Sequence, residues 1–176
     1  RTDFAIHALT ATATPDVQEE IIQGLLMGQA GHERITHTGN FVRENLIFRI
    51  YPVYKNEERD ILALGIVHQL VNNKERGGAG IVYTATRKSA TRLARLLRDH
   101  NIAAQAYHGG LETAERHQIQ ERFMQGELDV VVATSAFGMG VDKAEIRFVL
   151  HYDHPASLEA YAQEAGRAGR DGKEAY

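Results

Sequence analysis

Ile81-Val82-Tyr83-Thr84-Ala85-Thr86-Arg87-Lys88-Ser89-Ala90-Thr91-Arg92-Leu93-Ala94 is the stretch that decides the fold. Three residues suited to a buried strand run into polar threonines, and the apolar period then changes from two to about 3.6. Between Thr86 and His100 the residues Ala90, Leu93, Ala94 and Leu97 recur at helical spacing. The same change of period repeats downstream. Ala103 to Tyr107 reads as a strand, and Glu112 to Gln125 as a helix on Ile119 and Phe123. Val130-Val131-Val132-Ala133 and Ile146 to Tyr152 read as two more strands, and a short helix follows Ser157. This alternation predicts right-handed crossovers and an α/β fold, a parallel sheet with helices on both faces. In such sheets the functional loops gather at the carboxyl ends of the strands. Here those loops are Thr84–Lys88, His108–Leu111, Thr134–Lys143 and Asp153–Ser157.

Upstream, Leu46 to Val53 reads as a strand. Asn56 to Lys74 reads as an amphipathic helix on Ile61, Leu64, Val67, Leu70 and Val71, broken by Gly77-Gly78-Ala79-Gly80. Nearer the start, Phe4 to Thr12 has the pattern of a buried strand. Thr14-Pro15 then caps and starts a helix with Val17, Ile21 and Leu25 on one side, running to about Gly28. Gly28 to Asn40 is glycine-rich and polar, a candidate hinge. The expected division is 1–40 as one part and 41–176 as another.

Composition sets the outer limits. The chain has 176 residues, 43% of them apolar and 24% charged, as in ordinary globular domains. It has no cysteine, which excludes disulfides and thiolate metal sites. No apolar run is long enough for a membrane span, and no membrane role is expected. The formal net charge is −3, whereas a protein that grips nucleic acid alone usually carries a basic excess. A nucleic-acid role would therefore be as part of a surface completed elsewhere. The start on Arg1 and the end just after a motif read as a piece of a longer protein.

Two stretches carry the chemistry. The first is Gln163-Glu164-Ala165-Gly166-Arg167-Ala168-Gly169-Arg170-Asp171-Gly172. A helix capped by Ser157, with Leu158, Tyr161 and Ala165 on one face, brings Gln163 to its end and sends both arginines out on one side. Two guanidiniums aimed at one point suit a polyphosphate, since each donates a forked pair of hydrogen bonds. The glycines remove bulk so that a ligand or neighbouring domain can approach. The second is Ala133-Thr134-Ser135-Ala136-Phe137-Gly138-Met139-Gly140-Val141-Asp142-Lys143, a loop after an apolar strand. Thr134 and Ser135 can offer hydroxyls and N–H groups to a phosphate, and Asp142 can accept from a ribose hydroxyl. A plain glycine-rich connection is the alternative.

Smaller features rank below these. Arg87, at a helix N-terminus after a strand, is placed to reach a phosphodiester. His151, Asp153 and His154 have a superficial look of metal ligands, but Pro155 interrupts them and no cysteine or glutamate completes a set. Arg92, Arg95 and Arg98 read as a solvated helix face.

Taken in order, these strings resemble the RecQ family of DNA helicases. Gln163 to Gly172 is similar to its sixth motif, and Ala133 to Lys143 to its fifth. Tyr107-His108-Gly109-Gly110-Leu111 resembles its Y-H-[AG]-G-L. Tyr83-Thr84-Ala85-Thr86-Arg87 is similar to its Y-C-x-[ST]-R, without the cysteine. Ala8-Leu9-Thr10-Ala11-Thr12-Ala13 resembles its third motif, and Phe41-Val42-Arg43-Glu44-Asn45-Leu46 its F-x-R-x-N-L, with Glu44 where many members have proline. RNA helicases of the DEAD-box group end in H-R-I-G-R-x-G-R, where this chain has Gln163-Glu164-Ala165.

The resemblance implies a RecA-like second motor domain, preceded in residues 1–40 by the end of the first and a hinge. It implies ATP and Mg2+, both bound mainly by the first motor domain. Arg170 and Arg167 would act on the γ-phosphate, and Gln163, Gly140 and Asp142 would sense the nucleotide. Arg87, Thr134, Ser135 and His108 would follow single-stranded DNA beside a duplex unwound with 3′-to-5′ polarity. The implied location is cytoplasmic, on the nucleoid. No G-x-x-x-x-G-K-[ST] and no Asp-Glu-Ala-His run occurs in the chain, so alone it is expected not to hydrolyse ATP. Residues 4–27 are expected to dock on the motor domain or on a second copy. A non-catalytic α/β module that binds nucleic acid or protein is the alternative of another class, and an RNA helicase domain a third.

Overall fold

The computed structural model describes residues 6–10, 14–25, 35–37, 43–73, 77–135, 137–138 and 141–176. The chain divides into two compact units, Arg1–Val42 and Arg43–Tyr176.

In the first unit, α1 (Pro15–Gly24) starts as expected. Thr14 accepts a hydrogen bond from the Val17 N–H at 3.4 Å, and Pro15 occupies the first turn, where a missing N–H costs nothing. The predicted strand from Phe4 to Thr12 does not form over residues 6–10, and Leu9 is 95% exposed. Among the described residues no strand pairs with it, and apolar pattern alone does not make a strand. The rest of that stretch lies outside the described residues. So does the candidate hinge, apart from residues 35–37.

The second unit runs α2 (Asn56–Asn72), β1 (Gly80–Tyr83), α3 (Arg87–Asp99), β2 (Ala104–Tyr107), α4 (Thr113–Met124), β3 (Val130–Ala133), β4 (Phe148–His151) and α5 (Leu158–Ala165). The four strands form one parallel sheet in the order β2-β3-β1-β4. Ile81 stands opposite both Val131 and Val149. The strands are nearly all apolar because both faces are covered. Val82, Val130, Val132 and Ala104 pack on Ala63 and Val67 of α2 and on Ala90, Leu93, Ala94 and Leu97 of α3. Ile81, Tyr83, Val131 and Ala133 turn the other way, onto Phe123 of α4 and onto Phe137, Ile146, Ala168 and Ala175. Fully burying each valine, leucine, isoleucine or phenylalanine among them contributes about 1.5–3 kcal/mol. The helix starts carry their own signals: Thr86 accepts from the Ser89 N–H at 3.0 Å, and Ser157 from the Ala160 N–H at 3.1 Å.

Two expectations are corrected. Leu46 to Val53 is not a strand. Leu46 makes an isolated bridge to Ala175, and the following residues stay extended with Phe48, Ile50 and Tyr51 exposed. The edge of β4 is already occupied: the Val149 N–H donates to the Tyr176 carbonyl at 2.7 Å, and the Tyr176 N–H to that of Arg147 at 2.9 Å. The face expected on α5 is also only half laid down. Tyr161 and Ala165 are partly buried, but Leu158 is 82% exposed.

Candidate functional site

The turn after α5 carries Arg167 and Arg170 to the loop that leaves β3, and they meet it differently. Arg167 is partly buried and its Nη1 donates to the Gly138 carbonyl at 2.6 Å. Its Nε is buried with no hydrogen-bond partner among the described residues. Gly138 has φ +139°, and a Cβ there would run into the Arg167 guanidinium. Beside them the Tyr83 hydroxyl donates to the Phe137 carbonyl at 3.0 Å. Burial pushes that hydroxyl's pKa up to about 12, against a smaller opposing pull from Arg167, so Tyr83 stays a neutral donor. Arg170 instead lies on the surface, its Nη1 2.7 Å from Asp142 Oδ1. Two arginines aimed at one point is therefore corrected. One is stitched inward, and the other is outside on a carboxylate. Asp142, expected to face a ribose, faces Arg170. Gln163 is exposed at the end of α5, and Gly140 lies outside the described residues.

Gly169 admits the chain's own groups. Gly169 has φ +57°, and a Cβ there would stand 2.5 Å from Asn45 Nδ2 and 2.8 Å from the Lys173 carbonyl. Asn45 Nδ2 donates to the carbonyls of Gly169 and Lys173, both at 2.8 Å. Arg43 donates from Nη1 to the Gly166 carbonyl at 2.9 Å and from Nη2 to that of Gly169. At the far end of the turn, buried Arg147 holds Asp171, Nη2 to Oδ2, at 2.7 Å. That guanidinium holds the Asp171 carboxyl below its ordinary range.

A second cluster lies at the carboxyl ends of β1, β2 and β3. Arg87, Lys88, Thr91, Arg92, Arg95 and His108 line an open groove of about 550 Å³. Arg87 and Lys88 are exposed and make no ion pair among the described residues. Gly110 makes room for Arg87, whose Cδ would lie 3.2 Å from a Cβ at that position. His108, a candidate contact to a nucleic-acid backbone, is packed against its own chain. It is 9% exposed, its Nδ1 accepts from the Gly110 N–H at 3.3 Å, and its Nε2 is 3.3 Å from Thr91 Oγ1. Thr91 in turn donates to the Arg87 carbonyl at 3.1 Å. The histidine thus braces the first turn of α3, with its proton on Nε2. The Thr134 N–H is also spent, on the Tyr107 carbonyl at 3.2 Å, which leaves its hydroxyl. Ser135 is exposed beside it.

Several residues that shape the site escaped sequence reasoning. Asp60 of α2 accepts from Arg92 Nη1 at 2.5 Å, Arg92 Nη2 at 2.9 Å and the Tyr152 hydroxyl at 2.6 Å. Arg92 is therefore ion-paired, although its side chain stays 46% exposed, and its hydrogen bond holds the Asp60 carboxyl below its ordinary range. Asp153 accepts from Arg59 at 2.9 Å and from the Ala85 N–H at 2.8 Å, which ties the loop before α3 to β4. A glutamate does stand beside His151 after all: Glu164 Oε2 is 2.8 Å from its Nε2. Arg147 had a signal, a lone charge between Ile146 and Phe148 in an apolar run. Asp60 and Glu164 had none, since their partners are distant in sequence.

Comparison with known proteins gives these arrangements a setting. The family model described as the helicase conserved C-terminal domain matches residues 62–172. The ATP-dependent DNA helicase RecQ of Bacillus subtilis is 51% identical over 167 residues, which are 95% of this chain and 26% of that protein. The ATP-dependent DNA helicase Q5 of Rattus norvegicus is 42% identical over 94% of this chain and 17% of its own length. The chain thus spans about a quarter or less of these relatives. Among solved structures, Saccharomyces cerevisiae Dbp5 bound to RNA and ADP BeF3 superposes with a TM-score of 0.73 at 23% identity, over 94% of this chain and 42% of that one. A DEAD box protein from Methanococcus jannaschii gives 0.56 at 31% identity, over 68% and 32%. These likenesses agree with the RecA-like parallel sheet.

Proposed function

The chain belongs to the helicase conserved C-terminal domain family, on its RecQ side, and from that premise we propose that it serves as the second motor domain of an ATP-dependent DNA helicase. The observation that carries the proposal is the pairing of two built regions on one sheet. One is a braced turn that holds Arg170 at the surface. The other is a cationic groove, on a chain whose formal net charge is −3.

ATP, when bound, supplies the phosphoanhydride bond whose hydrolysis drives movement. The phosphate loop, the magnesium ligands and the catalytic base belong to the first motor domain in this proposal, and residues 4–27 to its end. This chain fits the remaining half of such a site. Arg170 is exposed, and its partner Asp142 is 82% exposed, so their attraction is screened by water. Exposed pairs of this kind are worth about 0.2–1 kcal/mol, so Arg170 leaves Asp142 readily for a polyanion. Arg167 presents one unsatisfied Nε and is otherwise held in place. Gln163 stands near the end of α5, just before both. Arg87 and the Thr134 hydroxyl would meet successive phosphates of a single strand, with little sequence preference. His108 would act through Arg87. Unwinding with 3′-to-5′ polarity is part of the proposal, as is the inability of this chain to hydrolyse ATP alone.

The test is DNA-stimulated ATP hydrolysis by the full-length protein with Arg170→Ala. Turnover is expected to fall on the order of a thousandfold, as for other charge-stabilising arginines in phosphoryl transfer, with ATP affinity kept within a few fold. Unchanged turnover would remove Arg170 from the chemistry and leave the chain as a binding module.

A further inference from the structure

Arg43 and Asn45 lie more than a hundred residues from the arginine turn in sequence and hold it through four hydrogen bonds. The acceptors are the carbonyls of Gly166, Gly169 and Lys173. These carbonyls follow the end of α5, where helical backbone runs out of its own donors. Satisfying them is a structural need, but water could meet it at an exposed turn. The choice of donors has a further effect. The Arg43 fork spans Gly166 and Gly169, the residues immediately before Arg167 and Arg170. It therefore fixes the backbone spacing of both arginines at once. Asn45 repeats the grip on Gly169 and extends it to Lys173. The backbone joins in, with the Ala175 N–H donating to the Asn45 carbonyl at 3.0 Å and the Ile47 N–H to that of Ala175 at 2.8 Å.

From this geometry we infer that Arg43 and Asn45 are positioning residues for the arginine turn. They hold Arg170 where it meets the nucleotide phosphates without touching the nucleotide themselves. The inference rests on the reading of Arg170 given above. Arg43 is also the first residue of its compact unit.

The experiment compares Arg43→Ala, Arg43→Lys, Asn45→Ala and Arg170→Ala in the full-length protein. It measures kcat and KM for ATP per folded molecule, and hydrogen exchange of peptides covering 163–176. Arg43→Ala is expected to lower kcat roughly ten- to a hundredfold, the cost of a misplaced catalytic group, with KM for ATP within about threefold. Arg43→Lys reaches one carbonyl instead of two and should fall between Arg43→Ala and wild type. Asn45→Ala, the milder variant, should lower kcat a few fold, and exchange over 163–176 should rise in step with each loss. Wild-type kcat in Arg43→Ala and Asn45→Ala, with Arg170→Ala inactive, overturns the inference and leaves the reading of Arg170 intact. Wild-type kcat in Arg170→Ala overturns that reading, and the inference with it. Raised exchange without any loss of kcat also overturns it, since the clamp would then be structural alone.

Discussion

The arginine turn and the cationic groove both present positive charge, yet they are built in opposite ways. Around Arg167 and Arg170 the carbonyls of Gly166, Gly169 and Lys173 are held by Arg43 and Asn45, and at the far end the Asp171 carboxylate is held by Arg147. At the groove, Arg87 and Lys88 stand out from α3 with no carboxylate against them among the described residues, and only the backbone beneath is braced, by His108 and Thr91. On the proposed function the difference matches two chemical tasks. A charge that must meet a developing transition state loses its effect when it moves by an ångström, so the scaffold fixes it. A charge that follows a phosphate backbone gains from loose side chains on a firm base, because the next phosphate never arrives in quite the same place.

The sharpest way to break this contrast is Gly169→Ala. The substitution forces a side chain into φ +57° and sets its Cβ 2.5 Å from Asn45 Nδ2. The left-handed backbone alone costs roughly 1–2 kcal/mol, and displacing the Asn45 clamp adds to it. A loss of about 2–4 kcal/mol in thermal or urea unfolding is expected. Gly172→Ala is the control, because a Cβ there meets nothing within 4 Å although φ is +79°. It should show the backbone cost alone. Equal losses at the two glycines would mean that the clamp around Gly169 contributes nothing.

A smaller effect is expected at the groove. Arg87→Ala should weaken single-stranded DNA binding by the full-length protein about tenfold or less, uniformly across sequences. It should also reduce the slope of log K against log salt by roughly one. The fold should be unaffected, since no described residue depends on that guanidinium for a hydrogen bond. A change in sequence preference, or loss of stability, would mean that Arg87 is fixed like Arg167 and that the two regions do not differ.

The sheet was legible in the sequence because burial on both faces leaves four short apolar runs at regular spacing, and because Thr86, Glu112 and Ser157 mark the helix starts. Leu46 to Val53 misled for the same reason. Its content of Ile, Phe and Tyr was real, but pairing depends on a free strand edge, and that edge had gone to Tyr176. Arg167 and Arg170 were legible as a pair and not as individuals. Nothing in two Gly-Arg steps says that the first will turn onto the Gly138 carbonyl and the second onto Asp142. Arg43 and Asn45 were visible as letters of a motif, but what they grip lies across the fold.

At the groove, the network of Asp60, Arg92 and Tyr152 ties α2 and α3 to the end of β4. The hydrogen bond from Arg92 lowers the Asp60 pKa below its ordinary 3.8. A depressed carboxyl contributes its full stabilisation above that ordinary value and loses it as the pH falls through the depressed one. Wild type should therefore be as stable at pH 5 as at pH 7 with respect to this group. It should lose about 1 kcal/mol from it in stronger acid, a figure kept small because the charges are partly solvated. Asp60→Asn should flatten that acid limb. An unchanged limb would place the acid sensitivity elsewhere, Asp171 on Arg147 being the next group depressed in the same direction.

The smallest effect is also the one on which the contrast between the arginines turns. Asp142→Asn removes the charge opposite Arg170 and leaves a side chain of the same size. If Arg170 is held only by this exposed pair, the stability change should stay within about 0.5 kcal/mol, the usual worth of a solvated ion pair. Salt should mimic the substitution, since screening acts on the same attraction. Arg167→Ala, which empties the Gly138 cradle and strips a partly buried hydrogen bond, should cost about 1–3 kcal/mol by the same assay. A small value for Asp142→Asn leaves Arg170 free to exchange one anion for another, as a group that meets phosphate must. A value matching that of Arg167→Ala would make Arg170 a second stitch in the fold, tied to Asp142 as firmly as its neighbour is to Gly138. The turn would then have no arginine left to give.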